Sequence, residues 1–175
     1  MEEPGPVEKN TNRLIKDISG FLLHLAAVAA AVWAVFTFVF GVSIAHGETM
    51  YPRIRDGDVL FYYRMQREIR VGDVLCVKAE GQTQIGRVVA VGGETVDISP
   101  EGQFLVNGNV VSEEIFYPTY LVSGTNVTYP YTVPENDLFL LSDFRTNGYD
   151  SRNYGSVNWE QVNGKVITVL RRRGI

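Results

Sequence analysis

Residues 85–111 read IGRVVAVGGETVDISPEGQFLVNGNVV, and their pattern decides the fold class of the domain that contains them. Short runs of β-branched and aromatic residues alternate with Gly, Asp and Asn, which is typical of strands joined by turns. The Asn107-Gly108 pair between FLV and NVV predicts a tight hairpin, because a type I′ turn needs positive φ at both central residues. This stretch therefore predicts antiparallel strands.

Similar runs recur on both sides of this stretch, and no long segment with helical period follows residue 45. Regularly spaced short strands predict a mostly β fold, an antiparallel sheet that is folded over or barrel-like. The polar and aromatic segment 112–136, which contains three prolines, is interpreted as a surface excursion. The predicted strands are Val59–Tyr63, Val74–Lys78, Ile85–Val91, Thr95–Ile98, Gln103–Val106, Asn109–Val111, Leu138–Leu141 and Lys165–Leu170.

Residues 21–45 read FLLHLAAVAAAVWAVFTFVFGVSIA and contain no charged side chain. A helix needs about 20 mostly apolar residues to cross a bilayer, whereas the apolar core of a cleavable signal peptide has about 7–15. The run therefore predicts an uncleaved transmembrane anchor over 21–45. Because Lys9, Arg13 and Lys16 precede it, residues 1–20 are predicted to be a cytoplasmic tail and residues 46–175 an extracellular domain of a single-pass cell-membrane protein.

The composition excludes several classes of function. The 175 residues carry a net charge of −4, which gives no electrostatic bias toward nucleic acid. The single cysteine, Cys76, excludes an intrachain disulfide. With only two histidines besides, the chain offers too few ligands for a typical zinc site, and we predict no metal and no cofactor.

Four segments follow the apolar run in a fixed order: Gly47–Pro52 with Asp56-Gly57-Asp58, then Val71–Val74, Ile85–Glu94 and Leu141–Arg152. Together they resemble the motifs of the signal peptidase I family. In that family a serine in Gly-Asp-Ser-Met-x-Pro is the nucleophile, and a lysine in Val-Lys-Arg-Val-Ile is its base. The resemblance implies a mostly antiparallel β-domain at the outer membrane face that acts on exported precursors.

Both catalytic positions of the motif are substituted in this chain. Thr49 stands at the nucleophile position and Gly86 at the position of the lysine. A threonine hydroxyl can be a nucleophile if a base activates it, but glycine has no side chain to accept the proton. General-base assistance typically contributes about 10²–10⁴ in rate. His46 and Lys78 are the alternative bases that the sequence leaves open; Arg87 is excluded because a guanidinium stays protonated.

The polar surroundings of the base are substituted as well. Gly148 stands where the family has a serine that hydrogen-bonds the lysine, while Phe144 replaces an asparagine and Ser142 a glycine. Met50 and Pro52 match the motif, and either local packing or contact with a bound peptide accounts for them. The remaining matches are interpreted as structural pairs of carboxylate and guanidinium groups: Asp143, Arg145, Asp150, Ser151 and Arg152.

These substitutions predict a catalytically inactive relative that retains an apolar cleft and binds an extended peptide there by strand addition. Dyad-lacking relatives occur in Gram-positive pilus gene clusters, and this chain resembles them at both lost positions. The resemblance implies a chaperone or adaptor in pilus assembly, with an exported or pilin precursor as its partner. The alternative is an active signal peptidase I that cleaves signal peptides with Thr49 as nucleophile.

Overall fold

One long helix precedes the β-domain. The computed structural model describes residues 6–66 and 68–171, and helix α1 (Pro6–Phe38) comes first. Its segment Ile15–Phe38 has 24 residues, a mean hydropathy of 2.1 and no part buried in the described chain. Its length and composition therefore suit it to cross a bilayer, which takes about 20 apolar residues.

Strand β1 (Phe40–Ile44) begins directly after the helix, within the run that the sequence analysis assigned to the anchor. It pairs along its whole length with β2 (Val59–Tyr63) and so belongs to the β-domain. A glycine permits this pairing, because a Cβ at Gly41 would lie 2.2 Å from Cζ of Tyr62. Helix α1 thus ends at Phe38, before residue 45, where the predicted anchor ends.

The larger sheet of the described residues has seven strands in the order β1-β2-β11-β3-β4-β9-β10, and every neighbouring pair is antiparallel. The strand nearest the C-terminus lies between β2 and β3, so contacts distant in sequence hold the middle of the sheet together. The further strands of this sheet are β3 (Val74–Ala79), β4 (Gln82–Val91), β9 (Asp137–Leu141), β10 (Val157–Asn158) and β11 (Val162–Leu170).

The smaller sheet has four strands in the described residues, in the order β7-β6-β5-β8. The predicted hairpin is confirmed, since Asn107 and Gly108 have φ values of +52° and +78° and Val106 pairs with Asn109. The strands of this sheet are β5 (Thr95–Ile98), β6 (Phe104–Val106), β7 (Asn109–Val110) and β8 (Tyr131–Thr132).

Three clusters of buried apolar side chains form the core. The first lies between the smaller sheet and strands β4 and β9, with Phe104 and Phe139 at its centre. The second, on the larger sheet, consists of Ile69, Leu75, Val77, Val88, Leu138, Leu140 and Val157. The third lies beside β1 and the segment that follows it, and consists of Ala45, Met50, Ile54, Leu60, Tyr62 and Cys76.

The prediction of a mostly β, antiparallel fold behind an N-terminal apolar helix is confirmed. The described residues form two open sheets and no closed barrel. All eight predicted strands are present within a few residues of the expected ends. Among the described elements, β1 and four short ones were not predicted: β8, β10, helix α2 (Ser151–Tyr154) and the 3-10 helix Trp159–Gln161.

Candidate functional site

Thr49 lies in a turn directly after β1. Gly47 begins the turn at a φ of +73°, and its N–H donates to Oδ1 of Asp56 (2.8 Å). The carbonyl of Thr49 accepts a hydrogen bond from the N–H of Phe144 (2.8 Å). Thr49 is half-buried, whereas Met50 is only 2% exposed and belongs to the third core cluster. The turn therefore holds Thr49 at the surface while its neighbour is fixed in the core.

The Thr49 side chain lines an open cleft of about 710 Å³. One wall comes from β1 and the turn, and the other from the first half of β4. Strand β9 pairs with β4 only from Arg87 onward, so within the described chain residues 82–86 have no strand partner on that side. The lining is mixed, with six polar side chains and two isoleucines: Ser43, Ile44, His46, Thr49, Gln82, Thr83, Gln84 and Ile85.

Neither alternative base is hydrogen-bonded to the Thr49 hydroxyl in the described residues. Among the residues that the structure describes, this hydroxyl makes no hydrogen bond. His46 lines the same cleft, but its exposed ring makes no hydrogen bond to Thr49. Lys78 is exposed on β3 and is not among the lining residues of the cleft. A base needs to be within about 2.6–3.2 Å, or one water away, to take the proton.

Gly86 is buried in β4, where it faces a leucine. A Cβ built on Gly86 would lie 3.0 Å from Cβ and 3.7 Å from Cδ1 of Leu140, a completely buried member of the second core cluster. A contact this close requires the neighbouring side chain to shift by a few tenths of an ångström. Side chains in a close-packed core have little room for such a shift. Leu140 thus occupies the space beside the position at which the resemblance implies a lysine.

Arg87 and Asp143 form a pair that joins β4 to the loop after β9. Nε of Arg87 donates to Oδ1 (2.7 Å) and Nη2 to Oδ2 (2.5 Å) of Asp143, while Nη1 donates to the Gly72 carbonyl (2.8 Å). Burial opposes the charged form of Arg87, but the hydrogen bond and charge of Asp143 outweigh it and raise the pKa of the guanidinium. Arg87 therefore stays protonated and cannot act as a base.

A second bidentate pair holds the loop at its far end. Nε and Nη2 of Arg152 donate to the two carboxylate oxygens of Asp150 (2.9 and 2.8 Å), and both side chains are almost completely buried. Asp150 also caps helix α2 and accepts from the N–H of Ser142 (2.9 Å). The hydroxyl of Ser151 accepts from the N–H of Leu140 (2.9 Å). These buried groups fix residues 142–152 against the end of β9.

Ser142 and Gly148 occupy one small space between them. A Cβ built on Gly148 would lie 2.3 Å from Cβ and 2.4 Å from Oγ of Ser142. The Ser142 hydroxyl is completely buried and has no hydrogen-bond partner in the described chain. The two substitutions that the sequence analysis treated separately are therefore sterically linked, and a hydroxyl is still present at this place, now carried by residue 142.

Residues 112–121, which we call the strap, cross the loop that contains Asp143 and Arg145. Arg145 is 2% exposed; its Nη2 donates to Glu113 of the strap (2.6 Å) and its Nη1 to Thr119 (2.9 Å). The ring of Tyr117 lies 4.7 Å from that of Phe144, centroid to centroid. The sequence analysis missed the strap's part in the site, because nothing local in the sequence indicates which loop these residues cover.

A second, smaller cleft of about 330 Å³ contains Pro52. It lies beneath the strap, so Pro52 and Thr49 line different openings. Its other lining residues are Arg53, Glu114, Ile115, Phe116, Tyr117 and Asp143. Within the described residues, no group of three or more His, Cys, Asp or Glu side chains is placed to hold a metal ion.

Comparisons with known proteins show which family this chain resembles. The family model described as "Signal peptidase, peptidase S26" matches residues 18–170. The chain is 29% identical to a signal peptidase I of Bacillus licheniformis over 171 residues, with 90% of each chain covered. It is also 29% identical to signal peptidase I T of Bacillus subtilis, with 83% of this chain and 84% of the relative covered.

A crystal structure of a signal peptidase I from Enterococcus faecalis is 27% identical and covers 58% of this chain and 98% of its own, with a TM-score of 0.49. The family match extends over most of the sequence. The chain belongs to the signal peptidase I family, peptidase S26.

Proposed function

We propose that this chain is a catalytically inactive member of its family, which binds an extended segment of an exported polypeptide in the cleft beside Thr49. One observation carries the proposal: in the described residues, no group that could accept a proton is hydrogen-bonded to the Thr49 hydroxyl. Without a base, a hydroxyl remains a weak nucleophile at neutral pH. Such a cleft would hold a peptide without cutting it.

The surroundings of Gly86 support the loss of catalysis. A lysine base must be neutral and within reach of the nucleophile. Residue 86 lacks a side chain, and a Cβ there would be in tight contact with Leu140, 3.0 Å from its Cβ. Where nucleophile and base act as a unit, the loss of either can cost about 10⁶ in rate, as in the subtilisin series.

The two walls of the cleft support peptide binding by strand addition. Residues 82–86 of β4 lack a strand partner on the cleft side, and β1 pairs only with β2 within the described chain. An unpaired edge presents backbone N–H and C=O groups to an extended peptide. Strands pair residue against residue, so the unpaired residues 82–86 can pair with about five residues of a ligand.

The proposal also covers how the chain is arranged in the membrane and what its cellular role is. Helix α1 would anchor the chain, with the tail that carries Lys9, Arg13 and Lys16 in the cytoplasm and the β-domain outside. The absence of both catalytic side chains resembles the dyad-lacking relatives of pilus gene clusters. We therefore propose a chaperone or adaptor in pilus assembly, whose client is an exported polypeptide such as a pilin.

Incubation of the purified full-length chain with a precursor protein tests the proposal. We expect no cleavage of the signal peptide by the parent or by Thr49→Ala, as followed by gel shift and mass spectrometry. Cleavage that Thr49→Ala abolishes would overturn the proposal in favour of an active peptidase. Loss of that cleavage in His46→Ala as well would identify the histidine as its base.

A further inference from the structure

We infer that the cleft beside Thr49 selects peptide segments rich in uncharged hydrogen-bonding side chains, namely Ser, Thr, Asn and Gln, over apolar ones. The inference rests on the proposed function and specifies the class of its ligand. Its starting point is the lining of the cleft. Six of the eight side chains that line it are polar: Ser43, His46, Thr49, Gln82, Thr83 and Gln84.

None of these six side chains makes a hydrogen bond within the described chain. Their hydroxyl, imidazole and amide groups are therefore free to bind water or a ligand. An apolar side chain that displaced this water would leave donors and acceptors unpaired, and burying such groups unpaired is costly. A ligand with amide or hydroxyl side chains replaces the lost hydrogen bonds.

The absence of charged side chains in the described lining distinguishes neutral polar ligands from charged ones. The described lining contains no Asp, Glu, Lys or Arg, so a charged ligand side chain would find no fixed partner there. Glutamine offers both a carbonyl acceptor and an amide donor, and hydroxyls also serve both roles. Gln82 and Gln84 are two residues apart on β4, so their side chains leave the same face of the strand. The lining thus matches neutral polar side chains spaced two apart in an extended ligand.

Ile44 and Ile85 do not alter this match. Ile85 packs against the third core cluster, which leaves only part of its side chain for a ligand. Ile44 is 52% exposed at the wall formed by β1. Both can contact the aliphatic stems of Thr or Gln side chains without requiring an apolar ligand.

Two matched peptides test the inference on the full-length protein in detergent or nanodiscs. Both are eight residues long with the same solubilising tail and fluorophore; one carries Gln, Asn, Ser and Thr, and the other Ala, Val and Leu. Fluorescence anisotropy should show the polar peptide binding at least about tenfold more tightly. Gln82→Ala and Gln84→Ala should each weaken it about fivefold, which corresponds to one net hydrogen bond. Gln103→Ala, at an exposed glutamine outside the cleft, is the control and should change nothing.

The outcomes separate this inference from the proposed function. Equal binding of the two peptides, tighter binding of the apolar one, or equal weakening by Gln103→Ala would overturn the inference and leave peptide binding intact. Failure of both peptides to bind would count against the proposed function itself. Reversal of the preference in Gln82→Leu/Gln84→Leu would further support the inference.

Discussion

At the scale of single residues, two glycines of the site lie against side chains that limit what these positions could carry. Ser142 and Gly148 share a space that holds one side chain, because a Cβ at residue 148 would overlap the Ser142 side chain. Gly86 is less restricted, because a Cβ there would make a tight contact of 3.0 Å with Cβ of Leu140 but would not overlap it. Close packing explains the linkage, since an interior at crystal-like density accepts a new side chain only when another withdraws.

The pair 142/148 gives the first prediction. Gly148→Ser should destabilise the β-domain by about 1–3 kcal/mol through overpacking. The double variant Ser142→Gly/Gly148→Ser should return to within about 1 kcal/mol of the parent, because Ser142→Gly removes the side chain that the new serine would overlap. Ser142→Gly alone is the matched control. Urea denaturation of all four proteins completes the double-mutant cycle; additive effects would show that the two positions do not share the space.

The buried thiol of Cys76 gives a prediction for alkaline pH. Burial raises its pKa to about 12 from an ordinary value of 9.0. The unfolded chain therefore loses this proton first, so the contribution to stability is complete below about pH 9 and declines as the pH rises toward 12. Between pH 8.5 and 10.5 the parent should lose up to about 2 kcal/mol more than Cys76→Ala. Equal losses in urea denaturation would contradict the assignment.

The sequence alone is enough to predict that Thr49 and Gly86 are the substituted positions, because motif order is a one-dimensional property. It did not identify the Ser142–Gly148 contact, which joins residues on two sides of a folded loop. The polar lining of the cleft also escaped it, since β1 and β4 lie far apart in the chain. Side chains that meet only through strand pairing leave no local signal.

At the scale of elements, two adjacent glutamates of the strap form ion pairs that differ in burial. Glu113 pairs with Arg145, whose side chain is 1% exposed, whereas Glu114 pairs with Arg53 at the surface. Burial lowers the pKa of Arg145, and the charge of Glu113 offsets part of that effect. The strap is therefore fixed by its buried ion pair, and the exposed pair adds little.

A matched pair of substitutions tests this difference. Glu113→Gln should destabilise the β-domain by about 3–5 kcal/mol, because it leaves a buried guanidinium without its counter-charge. Glu114→Gln should change stability by less than about 1 kcal/mol, as is usual for exposed pairs. Thermal and urea unfolding would both report the difference. If the two variants were equally stable, the buried pair would not be what fixes the strap.

The elements themselves show what periodicity can and cannot predict. The hairpin at Asn107-Gly108 and the longer strands have local signals in turn chemistry and β-branched runs. Strand β1 had none, because its apolar residues continue the composition of the preceding helix. Strands β8 and β10 have two residues each, too few for any alternation to be visible. Their pairing depends on partners elsewhere in the sheets.

At the scale of the whole molecule, the buried ion pairs that hold the β-domain together are distinct from the predicted catalytic positions, Thr49 and Gly86. The pairs Arg87–Asp143 and Asp150–Arg152 are buried and bidentate, and they join β4, β9 and the loop between β9 and α2. Removing one partner of such a pair is costly. In contrast, substitution of Thr49 or Gly86 breaks no side-chain hydrogen bond within the described residues. The buried pairs of the framework therefore do not depend on the side chains at residues 49 and 86.

The boundary between anchor and β-domain gives the last prediction. Beginning the chain at His46, as the sequence analysis would place the boundary, removes β1 and Ala45. Ala45 is 3% exposed, and its backbone exchanges two hydrogen bonds with Asp58 and Gly57 (2.8 and 2.9 Å). Each such bond contributes about 0.5–1.5 kcal/mol, and the ladder to β2 adds more. A 46–175 fragment should therefore be at least about 2 kcal/mol less stable than a 40–175 fragment in urea denaturation, and it should expose the edge of β2. Equal stability of the two fragments would place β1 outside the cooperative unit and return residues 40–45 to the anchor.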